Sequence, residues 1–137
     1  MNTIALGYDD SEVSQRALER AADLAKALGA TLRVISVAPL ASGGGRSGGA
    51  VDPVDSPAKH AAELQRAREY LEARGVTAQY QEAVGEPADA LVQLAEGGHA
   101  DLLIVGAGHH NVIGRLLGQS VSETVAHKAR SDVLIVH

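Results

Sequence analysis

Five short apolar runs alternate with stretches of helical periodicity, and that alternation leaves the chain very few folds. The runs are TIALGY (3–8), TLRVISV (31–37), TAQYQEAV (77–84), DLLIV (101–105) and VLIV (133–136). Each has the length and the β-branched or aliphatic content of a strand. Between the first two, Val13, Ala17, Leu18, Ala21, Leu24, Ala25 and Leu28 recur at three- and four-residue spacing. That spacing predicts a helix from Ser11 to Leu28 with one apolar face, closed by Gly29 in a left-handed conformation. Ser56-Pro57 supplies an N-cap and a first-turn proline for a second helix, which runs to Arg74 and closes at Gly75. Gly85-Glu86-Pro87 opens a shorter third helix through Ala95, ended by Gly97-Gly98-His99. The fourth runs from about Ser120 to Ala129.

Strands that alternate with helices form a parallel sheet, with helices on both faces. DLLIV is wholly apolar after its Asp, which predicts a strand covered on both sides. The chain has three tyrosines and neither Phe nor Trp, so the core is aliphatic. Its 137 residues suit one domain. The Gly-, Ser- and Pro-rich residues at about 40–58 have little to bury and are expected to form a mobile loop.

A net charge of -5 argues against gripping nucleic acid. It leaves room for an anionic small ligand held by backbone N–H groups. The absence of cysteine excludes disulfides, thiolate nucleophiles and zinc–cysteine sites. No apolar run reaches bilayer-spanning length, and MNTIALGYDD lacks the basic region of a signal peptide. A cytoplasmic protein with no membrane partner is the expectation.

An open parallel sheet binds ligands at the carboxyl ends of its strands, where the strand order reverses. Gly7-Tyr8-Asp9 and Gly106-Ala107-Gly108 would meet there. Glycine at 106 and 108 allows positive φ and close approach of a ligand to the backbone. Ser120-Val121-Ser122-Glu123 matches a capping box, so a helix start would aim its positive end at the same crevice. These features suit a phosphate cradle, and they equally suit glycines that only turn the chain and a serine that only caps a helix. No GxxxxGK[ST] occurs, and Asn111 stands where a dinucleotide fingerprint needs its third glycine.

His109-His110 raises a metal site, but adjacent histidines rarely point at one ion. His127 and Asp9 are the only other candidates, and no metal is expected. His60, His99 and His137 read as surface or element-end residues. Ser120 lacks a strained elbow such as GxSxG, and no residue stands out as a general base. No catalytic residues are assigned, and the chain is not read as an enzyme.

DLLIVGAGHHNVIGRLLGQSVSETVAHKARSDVLIVH resembles the C-terminal signature of the universal stress protein family. IALGYDDSEVSQRALERAADLAKALGATLRVISV and GEPADALVQLAEGGHADLLIVG resemble its opening and third segments. The resemblance implies an open five-stranded parallel sheet of order 3-2-1-4-5 and a homodimer through the last strand, 133–137. It also implies ATP or another adenine nucleotide as ligand in many members, and none in others.

The signature of nucleotide-binding members is Gly, two residues, Gly, nine residues, Gly, then Ser or Thr. Aligned without gaps from Gly106, this chain has His109 and Gln119 at the second and third glycines and keeps Ser120. A shifted reading uses Gly108 and Gly118 but inserts Gln119 before Ser120. The gapless reading is preferred, because it keeps Arg115-Leu116-Leu117 and Val121-Ser122-Glu123 in register. His109 and Gln119 could donate to phosphate oxygens or fill the space where phosphates would lie. On the nucleotide reading, Asp9 would meet the adenosine end or, through water, a Mg²⁺ on the phosphates. Val37 would offer apolar area and backbone groups to adenine. Gly7 and Tyr8 would flank Asp9. Gly106, Ala107, Gly108 and His109 would wrap the phosphates from one side, with Gly118, Gln119, Ser120, Val121 and Ser122 at the helix start. The expected role is a stress-response sensor that binds nucleotide without consuming it. The alternative is a nucleotide-free dimeric signalling or scaffold module that acts through protein partners.

Overall fold

The computed structural model describes residues 1–38, 57–107 and 121–137. In chain order they form β1 (Thr3–Gly7), α1 (Glu12–Leu28), β2 (Thr31–Ala38), α2 (Pro57–Ala73) and β3 (Ala78–Val84). α3 (Pro87–Gly97), β4 (Leu102–Gly106), α4 (Val121–Lys128) and β5 (Asp132–Val136) follow. The strands make one parallel sheet in the order β3-β2-β1-β4-β5, the order implied by the family resemblance. Every expected strand and helix is present, with ends shifted by one or two residues. Most of the expected 40–58 loop and the N-cap residues Ser56 and Ser120 lie outside the described residues, whereas 57 and 58 already belong to α2.

The chain first lays strands outward from β1 to β3, then crosses back to β4 and β5. Right-handed crossovers running in opposite directions put their helices on opposite faces. Accordingly, Ala17, Leu18, Ala21, Ala22 and Ala25 of α1 and Leu64, Ala67 and Leu71 of α2 pack on Ile4, Leu6, Leu32, Val34 and Ile104. Ala88, Leu91, Val92 and Ala95 of α3 and Val125 of α4 pack on Ala5, Ile35, Leu103 and Val105. β1 is the middle strand, and β4, between β1 and β5, is buried on both faces as its apolar run requires. Leu28 is a correction: the last residue of α1 is 48% exposed although its spacing continues the apolar stripe.

Three helices end on a left-handed residue followed by a bond from the next N–H to the carbonyl five residues back. The left-handed residues are Gly29, Gly75 and His99, with φ of 66°, 73° and 60°. The bonds are Ala30 to Ala25, Val76 to Leu71 and Ala100 to Ala95, at 2.9–3.0 Å. In α3 this role falls to His99, so the helix runs through Gly97, past the expected end at Ala95. A Cβ at Gly29 would meet nothing within 4 Å. Gly29→Ala is therefore expected to cost about 1 kcal/mol by backbone conformation alone, read from urea unfolding.

Candidate functional site

The strand register opens a crevice. β1 and β4 stay paired only to Leu6↔Ile104. Beyond that point β1 follows β2, through Gly7↔Ile35 and the Tyr8 N–H donated to the Ile35 carbonyl at 2.9 Å. β4 follows β5 instead, through Gly106↔Val136 and the Ala107 N–H donated to the Val136 carbonyl at 2.7 Å. The two strand ends thus part where the strand order reverses, the place where open parallel sheets take ligands.

Both glycines at the rim serve packing. A Cβ at Gly106 would stand 3.0 Å from Val13 Cγ1 and 3.1 Å from the Val13 carbonyl carbon, in α1. A Cβ at Gly7 would stand 2.8 Å from Leu91 Cδ1, in α3. Among the described glycines, positive φ occurs at Gly29, Gly75 and Gly85 and not at Gly106. The expectation of positive φ at Gly106 is corrected, and the face its missing side chain leaves is met by Val13 of α1.

The turn from β1 into α1 is densely hydrogen-bonded. Ser11 caps α1, its side chain accepting from the Ser14 N–H. The Asp9 N–H donates to Ser14 Oγ at 3.0 Å, and Asp9 Oδ1 accepts from the Ser11 N–H at 3.0 Å. Asp9 is exposed at the crevice. Tyr8 is 5% exposed, with its ring in the core beneath α1 and α2, so only its backbone borders the crevice. The Tyr8 hydroxyl donates to Asp10 Oδ1 at 2.7 Å. Burial first, and then this bond, push the tyrosine hydroxyl well above its ordinary range, so it keeps its proton. Burial alone would raise Asp10, but hydrogen bonds from Arg66 and Tyr8 outweigh it and hold the carboxyl below its usual range.

Beside this turn lies a buried polar cluster that contradicts the reading of His60 as a surface residue. His60 is 4% exposed, Glu63 1% and Ser36 0%. His60 Nδ1 lies 2.7 Å from Ser36 Oγ and 3.2 Å from Glu63 Oε1. Burial raises the Glu63 carboxyl above its ordinary value, against the opposing charges of His60 and Lys59, with Asp9 and Asp10 adding to the rise. The signal for it was available in the spacing. His60 and Glu63 fall on the stripe of Leu64, Ala67 and Leu71, and Ser36 continues the inward face of Leu32 and Val34.

A model of the universal stress protein family matches residues 1–137. The chain belongs to that family. A universal stress protein of Mycobacterium tuberculosis is 36% identical over 140 residues, spanning 98% of this chain and 95% of the relative. The crystal structure of a universal stress protein in complex with cAMP is 35% identical, with a TM-score of 0.76 over 99% of this chain and 97% of that one. A universal stress protein of Archaeoglobus fulgidus, 24% identical, shares the fold at a TM-score of 0.76 over 100% of this chain and 94% of that one.

In this universal stress protein, Gly7, Tyr8 and Asp9 stand on one side of the crevice, and Gly106 and Ala107 on the other. Val37 is half-buried near the end of β2, against the α3–α4 face. Val121 and Ser122 begin α4, with Ser122 4% exposed. Gly108, His109, Gly118, Gln119 and Ser120 lie outside the described residues. So does His110. Among the described residues no group of three or more His, Asp or Glu could hold a metal ion, and no helix is long and apolar enough to cross a membrane.

Proposed function

We propose that this universal stress protein binds an adenine nucleotide in the crevice between β1 and β4 and serves as a stress-response sensor rather than a catalyst. The carrying observation is the parting of the strand ends beyond Leu6↔Ile104, in a chain 35% identical to a family member crystallised with cAMP. Charge suggests the ligand's direction. Asp9 is exposed on the β1–β2 side, where its carboxylate would repel phosphate. The positive dipole end of α4 lies on the far side. The adenosine end would then lie by Asp9 and Val37, with the phosphates, and any Mg²⁺ they carry, toward Gly106, Ala107 and Val121.

A homodimer through 133–137 belongs to the same proposal. β5 is an edge strand, and Val133, Leu134 and Ile135 are only half-buried on it. An apolar edge of this kind favours pairing with a second copy. The rival reading, a nucleotide-free dimer acting through protein partners, draws on Val13 filling the space at Gly106.

Calorimetric titration of nucleotide-free protein with cAMP, AMP, ADP and ATP, with and without Mg²⁺, separates the two readings. Micromolar binding of at least one nucleotide is expected. Asp9→Asn, which keeps an acceptor for the Ser11 N–H, should weaken it about ten-fold. No heat and no shift in melting temperature with any of the four would sink the nucleotide reading in favour of its rival.

A further inference from the structure

We propose that Arg66, on α2, is a positioning residue for the nucleotide crevice: through Asp10 it holds the turn that presents Asp9. This role rests on the nucleotide reading above and adds a residue that makes no contact with the ligand.

Asp10 gathers donors from α1, from α2 and from its own turn. The Arg66 Nε–H donates to Asp10 Oδ2 at 2.9 Å, and Arg66 Nη2 reaches the same oxygen. Oδ1 accepts from the Tyr8 hydroxyl at 2.7 Å and from Gln15 Nε2 at 3.4 Å. Asp10 also has a φ of 65°, in the left-handed region that aspartate enters more readily than most residues with a Cβ. The left-handed residue follows Asp9 directly and turns the chain from β1 into α1. Asp9 is thereby set between Ser14 Oγ, which accepts from its N–H, and the Ser11 N–H, which its carboxylate accepts.

The Arg66 side chain is 54% exposed and that of Asp10 20% exposed. An ion pair this open to water adds little to global stability. What it does supply is a fixed link, 56 residues apart in sequence, between α2 and the turn at the ligand site. The forked guanidinium sets an angle as well as a charge, which an ammonium does not. The expected signature is a change in ligand affinity without a matching change in stability.

Arg66→Ala and Arg66→Lys are to be titrated with the nucleotide the parent binds best, with melting temperatures and amide exchange measured on the same samples. In Arg66→Ala the dissociation constant should rise about five-fold. The melting temperature should move by no more than about 2 °C. Exchange at the Asp9 and Ser11 amides should quicken in the nucleotide-free protein. Arg66→Lys, which keeps the charge, should recover part of the affinity. An unchanged dissociation constant in Arg66→Ala, with binding intact in the parent, would overturn the role of Arg66 alone. Affinity lost only in step with the melting temperature would reduce Arg66 to a stabilising contact and overturn it as well. A parent that binds no adenine nucleotide would overturn the nucleotide reading and this role with it.

Discussion

His60→Ala is expected to destabilise the protein by about 3 kcal/mol in urea unfolding at neutral pH, an unusually large loss for a polar residue. The imidazole fills buried space on α2 and is the nearest partner of two buried groups, Ser36 Oγ and Glu63 Oε1. Burial favours the protonated form of the Glu63 carboxyl. Truncation removes the ring, the Ser36 bond and the contact with Glu63, and leaves a cavity beside a buried carboxyl, whereas replacing His60 and Glu63 together by leucine and Ser36 by alanine should cost far less. The pH response has a definite sign. Burial raises the folded-state value of Glu63 above its ordinary 4.5, so its contribution is fully present below that value and is lost as pH rises through the folded one. Glu63→Gln should remove that slope and therefore look better against the parent at pH 8 than at pH 4. A parallel pair of stability curves across that range would show that Glu63 is not held out of its charged form.

Gly106→Val should cost about 2–3 kcal/mol through overpacking, measured by the same unfolding assay. The first added carbon already meets Val13 Cγ1 at 3.0 Å and the Val13 carbonyl carbon at 3.1 Å, and backbone cannot swing aside as a side-chain tip can. The strain would fall on the first turn of α1, two residues beyond its Ser11 cap. That turn also anchors Asp9 through Ser14, so a displaced helix start would carry the strain to the ligand side of the crevice. Gly7→Ala is the milder counterpart, since the atom it meets is the end of the Leu91 side chain, which can rotate. Equal and small losses in both variants would contradict the close approach of α1 to β4.

The fold was legible because its signals are periodic and redundant. The alanine and leucine stripe of α1 repeats over four turns, Gly29 and Gly75 mark helix ends, and DLLIV admits few positions other than one covered on both faces. The location of the crevice followed from topology alone. The details of the site were harder to read, because a residue type does not say what uses it. Gly106 was read as a place for positive φ, and instead it lets Val13 of α1 come close, as Gly7 does for Leu91 of α3. His60 looked like a surface histidine because histidines usually are, while its place on the Leu64–Ala67–Leu71 stripe pointed inward. Arg66 could not have been tied to Asp10 from spacing, since their meeting depends on how α2 lies over the sheet. Gly97-Gly98-His99 marked the end of α3 without saying which residue turns it, and His99 takes the left-handed position from which Ala100 closes on Ala95.

All five strands run the same way, and both chain ends are held to the body of the protein. The Asn2 and Thr3 N–H groups donate to Asp101 Oδ2 at 2.8 and 3.1 Å, beneath the amino ends of the strands. At the other end Arg16 Nε donates to the His137 carbonyl at 3.1 Å, next to the parted tips of β1 and β4. Five-residue strands separate the two levels by about 17 Å. An affinity tag or fluorophore attached before Met1 would therefore sit on the floor of the molecule, clear of ligand traffic. The same attachment after His137 would stand at the doorway, where it could report occupancy or obstruct it.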